Sequence, residues 1–148
     1  MKKLFLTLVI LLGFLFQITP TSATTIQEVE YPNNQGKSFI SEDEFYNQLD
    51  KDMYQEYKNA AYSIRRKIPY KEVPDAELSF NRKTKNNCQD KMSLQTPHIH
   101  PERQVYFFAS FSQNEKEEFH KFIVVDAETK TRLLEGNSFH RYENPYRN

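Results

Sequence analysis

Between Val105 and Phe111 the chain reads Val-Tyr-Phe-Phe-Ala-Ser-Phe, and this run constrains the fold more than any other. In an extended segment successive side chains point to opposite faces. Val105, Phe107, Ala109 and Phe111 then share one face while Tyr106, Phe108 and Ser110 share the other. Apolar groups on both faces argue for a central strand covered on both sides. That cover must come from packing. Cys88 is the only cysteine, so no disulfide can form within the chain. Nine Tyr and twelve Phe, with no Trp and three Gly, describe a core built from large rings. Such a composition does not suit a disordered linker.

A second strand is expected from Phe119 to Val125, where Phe119, Lys121, Ile123 and Val125 interleave with His120, Phe122 and Val124. Asp126-Ala127-Glu128-Thr129-Lys130 reads as a turn and Thr131 to Leu134 as a short third strand. Gly136-Asn137 reads as another turn, and Ser138 to Tyr142 as a candidate fourth strand. Short connections between successive strands predict an antiparallel meander.

Upstream, Ser41-Glu42-Asp43-Glu44 forms a capping box, with Ile40 and Phe45 placed as a hydrophobic staple. The acidic residues suit the positive end of the helix dipole. Phe45, Leu49, Met53, Tyr57, Ala60, Ile64 and Ile68 recur at steps of three or four, which predicts one helix from Glu42 to about Lys67. Tyr46, Tyr54 and Tyr62 fall on its flank every eight residues. Pro69 ends it, and a break near Asn59 would divide it in two. Ile26 to Tyr31 and Ala76 to Phe80 read as candidate short strands, and Asn81 to Lys91 as an exposed polar loop containing Cys88. The fold class is therefore α+β: one long N-terminal helix packed on a C-terminal antiparallel β-meander. This arrangement resembles that of cystatin-like and NTF2-like domains, a likeness of architecture that implies no activity. The run from Val124 to Lys130 resembles the closing hairpin of PepSY-type exported domains.

The chain begins as an export signal. Lys2 and Lys3 precede an apolar run from Leu4 to Phe16, and Thr21 and Ala23 occupy the −3 and −1 positions of a cleavage site. This run falls short of the roughly 20 residues a transmembrane helix needs, and no second apolar segment follows. Residues 1–23 are expected to be a signal peptide and residues 24–148 a single secreted domain with no transmembrane segment. Beyond Ala23 there are 18 basic and 20 acidic residues, a net charge of −2. That gives no electrostatic case for nucleic acid, whereas an extracellular or cell-envelope protein partner is compatible with it.

Few residues point to chemistry. His98 and His100 share a face if extended, and Pro97 and Pro101 bracket them. With His120 or His140, and a carboxylate such as Glu102 or Glu118, they form a candidate zinc shell. Cys88 lies near Lys83, Lys85 and Lys91, and is a candidate nucleophile, a free thiol or an intermolecular disulfide partner. Asp126 and Glu128 lack the pattern of a calcium loop and suit a solvated hairpin turn. No phosphate loop or nucleophile elbow occurs. The leading expectation is a small exported non-catalytic interaction or regulatory module with no cofactor, using Tyr46, Tyr54 and Tyr62 as its surface. The alternatives are a zinc enzyme and a carrier holding a small ligand between helix and sheet.

Overall fold

Two apolar clusters lie back to back on a four-stranded antiparallel sheet, as the Val105–Phe111 alternation requires. A computed structural model describes residues 31–86 and 91–142. The expected signal segment, Cys88 and all but Tyr31 of the candidate strand at residues 26–31 lie outside them. In chain order the elements are α1 (Glu42–Gln48), β1 (Tyr62–Pro69), a 3-10 turn (Tyr70–Glu72), α2 (Val73–Lys83), β2 (Gln104–Gln113), β3 (Glu117–Asp126) and β4 (Arg132–Arg141). The sheet is open, in the order β1-β2-β3-β4.

β2 is the central strand its sequence predicts. Tyr106, Phe107, Phe108 and Ala109 are fully buried. On one face Val105, Phe107, Ala109 and Phe111 pack with Ile64 and Ile68 of β1 and with Val73, Ala76 and Phe80 of α2. On the other, Tyr106 and Phe108 pack with Ile123 and Val125 of β3 and with Phe45, Tyr46, Leu49 and Tyr54. Fully covering a Val or Phe side chain contributes about 1.5 to 3 kcal/mol relative to exposure. Ser110, the one polar residue inside the run, is not idle: its Oγ accepts from the Tyr57 amide at 3.1 Å and meets Ser63 Oγ at 3.2 Å. It thereby ties the segment after α1 to the sheet.

The long helix from Glu42 to Lys67 is corrected to a short one. α1 starts as predicted, with Ser41 Oγ accepting from the Glu44 amide at 3.3 Å, but Leu49 is already extended. Asp50 ends it: its side chain accepts from the Asp52 amide, and its carbonyl accepts from the Met53 and Tyr54 amides. Such local turns compete with helix. Residues 62–69 then form β1, paired with β2 from Tyr62↔Phe111 to Pro69↔Gln104. The i, i+4 spacing of Ile64 and Ile68 suits both states, since an even step also keeps one face of a strand. Bonding to β2 decides between them. Pro69 sits at the strand end, where its missing amide costs little.

Three other expectations change. Asn81 to Lys91, expected as an exposed loop, begins as the last turn of α2, and Asn81 and Thr84 are buried. The Ala76–Phe80 segment is helical, within α2, because Pro74 in the first turn and Asp75 favour a helix start, while Arg82 and Lys83 suit its end. The two strands expected at 131–134 and 138–142 are one strand, β4, which runs through Gly136 without a turn. Gly136 serves a close approach instead: a Cβ there would lie 2.4 Å from Phe122 Cε1. The 126–130 turn forms as expected, with Lys130 at φ 60°.

Candidate functional site

The four histidines do not gather. His120, on β3, is buried between α2 and the sheet. His140 is exposed on β4, opposite Glu118. His98 and His100 flank the buried Ile99, where the segment meets Tyr31 through the His98 carbonyl and the His100 amide. His100 Nδ1 accepts from the Glu102 amide at 3.1 Å. Among the described residues no three His, Cys, Asp or Glu side chains converge as metal ligands. Turns about Pro97 and Pro101 and the register of β3 with β4 keep the histidines at separate places, so the candidate zinc shell is not assembled there.

Nor do the three tyrosines make one surface. Tyr46 and Tyr54 lie edge-on to one another at 6.4 Å within the α1-side core. Tyr62 is half-buried on the opposite face, stacked with Phe80. Tyr46 is committed to structure: its hydroxyl accepts from the Glu56 amide, and the Arg65 guanidinium lies 3.8 Å from its ring centroid. Arg65 in turn bridges Glu56 at 2.7 Å and Asp43 at 2.9 Å.

Tyr54 differs. Its ring is buried, yet its hydroxyl has no hydrogen-bond partner among the described residues. Burial is the main reason its ionisation is pushed far above the ordinary phenol range, with Glu56 adding to it. Tyr54 lines a cleft of about 590 Å³ between the 51–57 segment and β3–β4. Lys51 and Lys121 on its walls offset Asp52 and Glu135, so the cleft is polar but nearly neutral. Lys121 Nζ lies 4.1 Å from the Tyr57 ring centroid, and burial lowers its pKa. Next to the cleft a row of rings runs from Tyr57 through Phe119, at 6.2 Å, to Phe139, at 5.0 Å. Phe139 is 53% exposed and stands on β4, an edge strand whose only strand neighbour among the described residues is β3.

On the opposite face, α2 and the middle of β3 and β4 line a smaller pocket of about 140 Å³. Phe80 and Phe122 form its apolar walls, and Glu77, Asn81, His120 and Ser138 supply polar atoms. Glu77 is 8% exposed: one carboxylate oxygen accepts from Asn81 Nδ2 at 3.2 Å, and the other, Oε2, has no partner among the described residues. Burial raises the Glu77 pKa, with Asn81 opposing. His120 Nε2 lies 3.1 Å from Thr84 Oγ1. The single Thr84 hydroxyl proton is directed at the Phe80 and Asn81 carbonyls, so the ring donates from Nε2 and Nδ1 is left as an acceptor. Burial lowers the His120 pKa, against Glu118 and Thr84, and favours that neutral form. Glu77 does not stand out in the sequence when Ala76–Phe80 is read as a strand. Val73, Ala76, Glu77 and Phe80 follow helical spacing, and a carboxylate within such an apolar stripe was the available signal.

Asp126, expected in a solvated turn, is fully buried. Arg103 grips it with Nε at 2.6 Å and a second nitrogen at 2.9 Å, and also donates to the Pro32 carbonyl. The amides of Glu128 and Thr129 donate to Asp126 Oδ1 as well. Although burial pushes the Asp126 pKa up, Arg103 and Thr129 outweigh it and hold the carboxyl below its ordinary range. Its oxygens are thus committed to structure. Compared with protein-family models, curated proteins and solved structures, the chain matches none.

Proposed function

We propose that the chain is exported, loses residues 1–23, and acts outside the cytoplasm as a non-catalytic interaction module that receives an extended segment of a secreted or cell-envelope protein along β4. The observation that carries this reading is the edge itself. β4 is ten residues long, and its middle, Gly136-Asn137-Ser138-Phe139, is uncharged. Edge strands offer unpaired amides and carbonyls to an incoming strand. Phe139, Phe119 and Tyr57 provide an apolar landing for one of its side chains, and the cleft beside them provides polar contacts from Lys51, Asp52, Lys121 and Glu135. No helix among the described residues is long and apolar enough to cross a membrane. The cystatin-like or NTF2-like arrangement belongs to this proposal as architecture: α2 lies across an antiparallel sheet, but α1 and the 50–57 segment cover the other face.

Two measurements test it. N-terminal sequencing of protein from the culture medium is expected to begin at Thr24, and a start at Met1 in a membrane fraction would sink the export reading. A photo-cross-linking group at Asn137 is expected to capture an envelope or secreted protein, and Phe139→Glu to abolish the capture with the unfolding midpoint unchanged. A cross-link that survives Phe139→Glu, or that joins only two copies of this chain, would defeat the partner reading.

A further inference from the structure

We propose that the pocket beneath α2 binds a small primary ammonium group on a short apolar stem, with Glu77 as its counter-ion. The inference stands apart from the β4 edge and rests on four features. First, Glu77 is more than nine-tenths buried and its Oε2 has no hydrogen-bond partner among the described residues. A buried carboxylate oxygen left without a donor is costly, so a site of this kind is completed by a donor from outside.

Second, the pocket's charge is one-signed. Lys121 contributes to its wall, but its ammonium lies over the Tyr57 and Tyr54 rings on the opposite face of the sheet. Among the described residues Glu77 is the one carboxylate in its lining, and His120 is engaged with Thr84 Oγ1 through Nε2. Third, the accessory hydroxyl accepts. Ser138 Oγ, which accepts from Asn86 Nδ2 at 3.4 Å, keeps a second lone pair that adds to Glu77 Oε2, and an alkylammonium carries three donors. A divalent metal would want more anionic oxygens than this wall offers.

Fourth, size and walls match a short stem. About 140 Å³ compares with about 30 Å³ per water in the liquid, so a few heavy atoms fit. The Phe80 and Phe122 rings cover such a stem, and a cation gains from aromatic faces as well. Gly136 helps shape this wall, because any side chain there would displace the Phe122 ring.

The test is a titration of the isotope-labelled mature protein, followed residue by residue in amide NMR spectra. n-Propylammonium, n-propanol and propionate serve as isosteric probes. The ammonium is expected to give saturable shifts centred on Glu77, Asn81, Phe122 and Ser138. Propanol is expected to bind about tenfold more weakly or worse, as loss of a charge-assisted hydrogen bond implies, and propionate not at all. Glu77→Gln is expected to reduce ammonium binding to the level of propanol while keeping the fold, which its own spectrum reports. Equal binding of propanol and propylammonium overturns the proposal. Undiminished ammonium binding by Glu77→Gln, shifts centred elsewhere, or no saturable shift also overturns it. The comparison among probes uses the unaltered protein, so it decides the matter even if the variant does not fold.

Discussion

Asp126 shows how far a single side chain can depart from what its neighbours in sequence suggest. Asp-Ala-Glu-Thr-Lys is turn-like, and turn residues are usually wet, yet Asp126 is the most deeply buried charge among the described residues. Arg103, 23 positions earlier, makes this tolerable by meeting both carboxylate oxygens. Removing one partner of a buried pair leaves the other uncompensated, which costs about 3 to 5 kcal/mol. Asp126→Asn is therefore expected to lower stability by that order in chemical denaturation. A loss below about 1 kcal/mol would mean that Arg103 finds another partner. Glu77 is the opposite case, a buried carboxylate with no cation in contact among the described residues. The distinction between them is invisible in sequence, because each depends on which residue the fold brings alongside.

At the level of elements, local signals proved reliable where they were local in cause. The Ser41 cap starts α1 where its sequence places it, and alternation identifies β2 and β3. Ends and alternatives were harder. Ile64 and Ile68 fit helix and strand equally, and only the ladder with β2 selects β1. Gly136-Asn137 has the composition of a turn, but the glycine is required by the Phe122 ring across the strand pair. Gly136→Ala is accordingly expected to destabilise by about 1 to 3 kcal/mol through overpacking. Combining it with Phe122→Leu should recover part of that loss, since the smaller side chain vacates the space. If the double variant is no more stable than Gly136→Ala, backbone conformation and not ring contact is the reason for glycine there.

For the molecule as a whole, the shifted groups predict a particular response to acid. His120 has a lowered pKa in the folded state, so the unfolded chain binds the proton first. Its contribution is complete above about pH 6.5 and is lost as pH falls through the lower folded value. Asp126, also lowered, adds a second loss in the carboxylate range. Glu77 is raised, so it opposes them: its contribution grows as pH falls through its folded value toward the unfolded one. Unfolding measured across pH 7 to 3 should then show an early decline that His120→Gln removes, and a later one that Asp126→Asn removes. Glu77→Gln should make the overall decline steeper. A parent profile that stays flat between pH 7 and 5 would contradict the buried, neutral state of His120.

The division between what the amino-acid order determines and what packing decides follows from the range of the forces involved. Periodic burial on both sides of Val105–Phe111, the helix start at Ser41 and the close of β3 at Asp126 are written in residues within a few positions of one another. The sequence by itself therefore determined a ring-filled α+β domain around a doubly covered central strand. The short α1, the strand β1 at Tyr62–Pro69 and the pocket around Glu77 and His120 depend on contacts between distant segments. Each of those stretches has more than one locally acceptable conformation. Only the tertiary structure decided among them, because backbone pairing with β2 and cover for its two apolar faces favour one combination over the others.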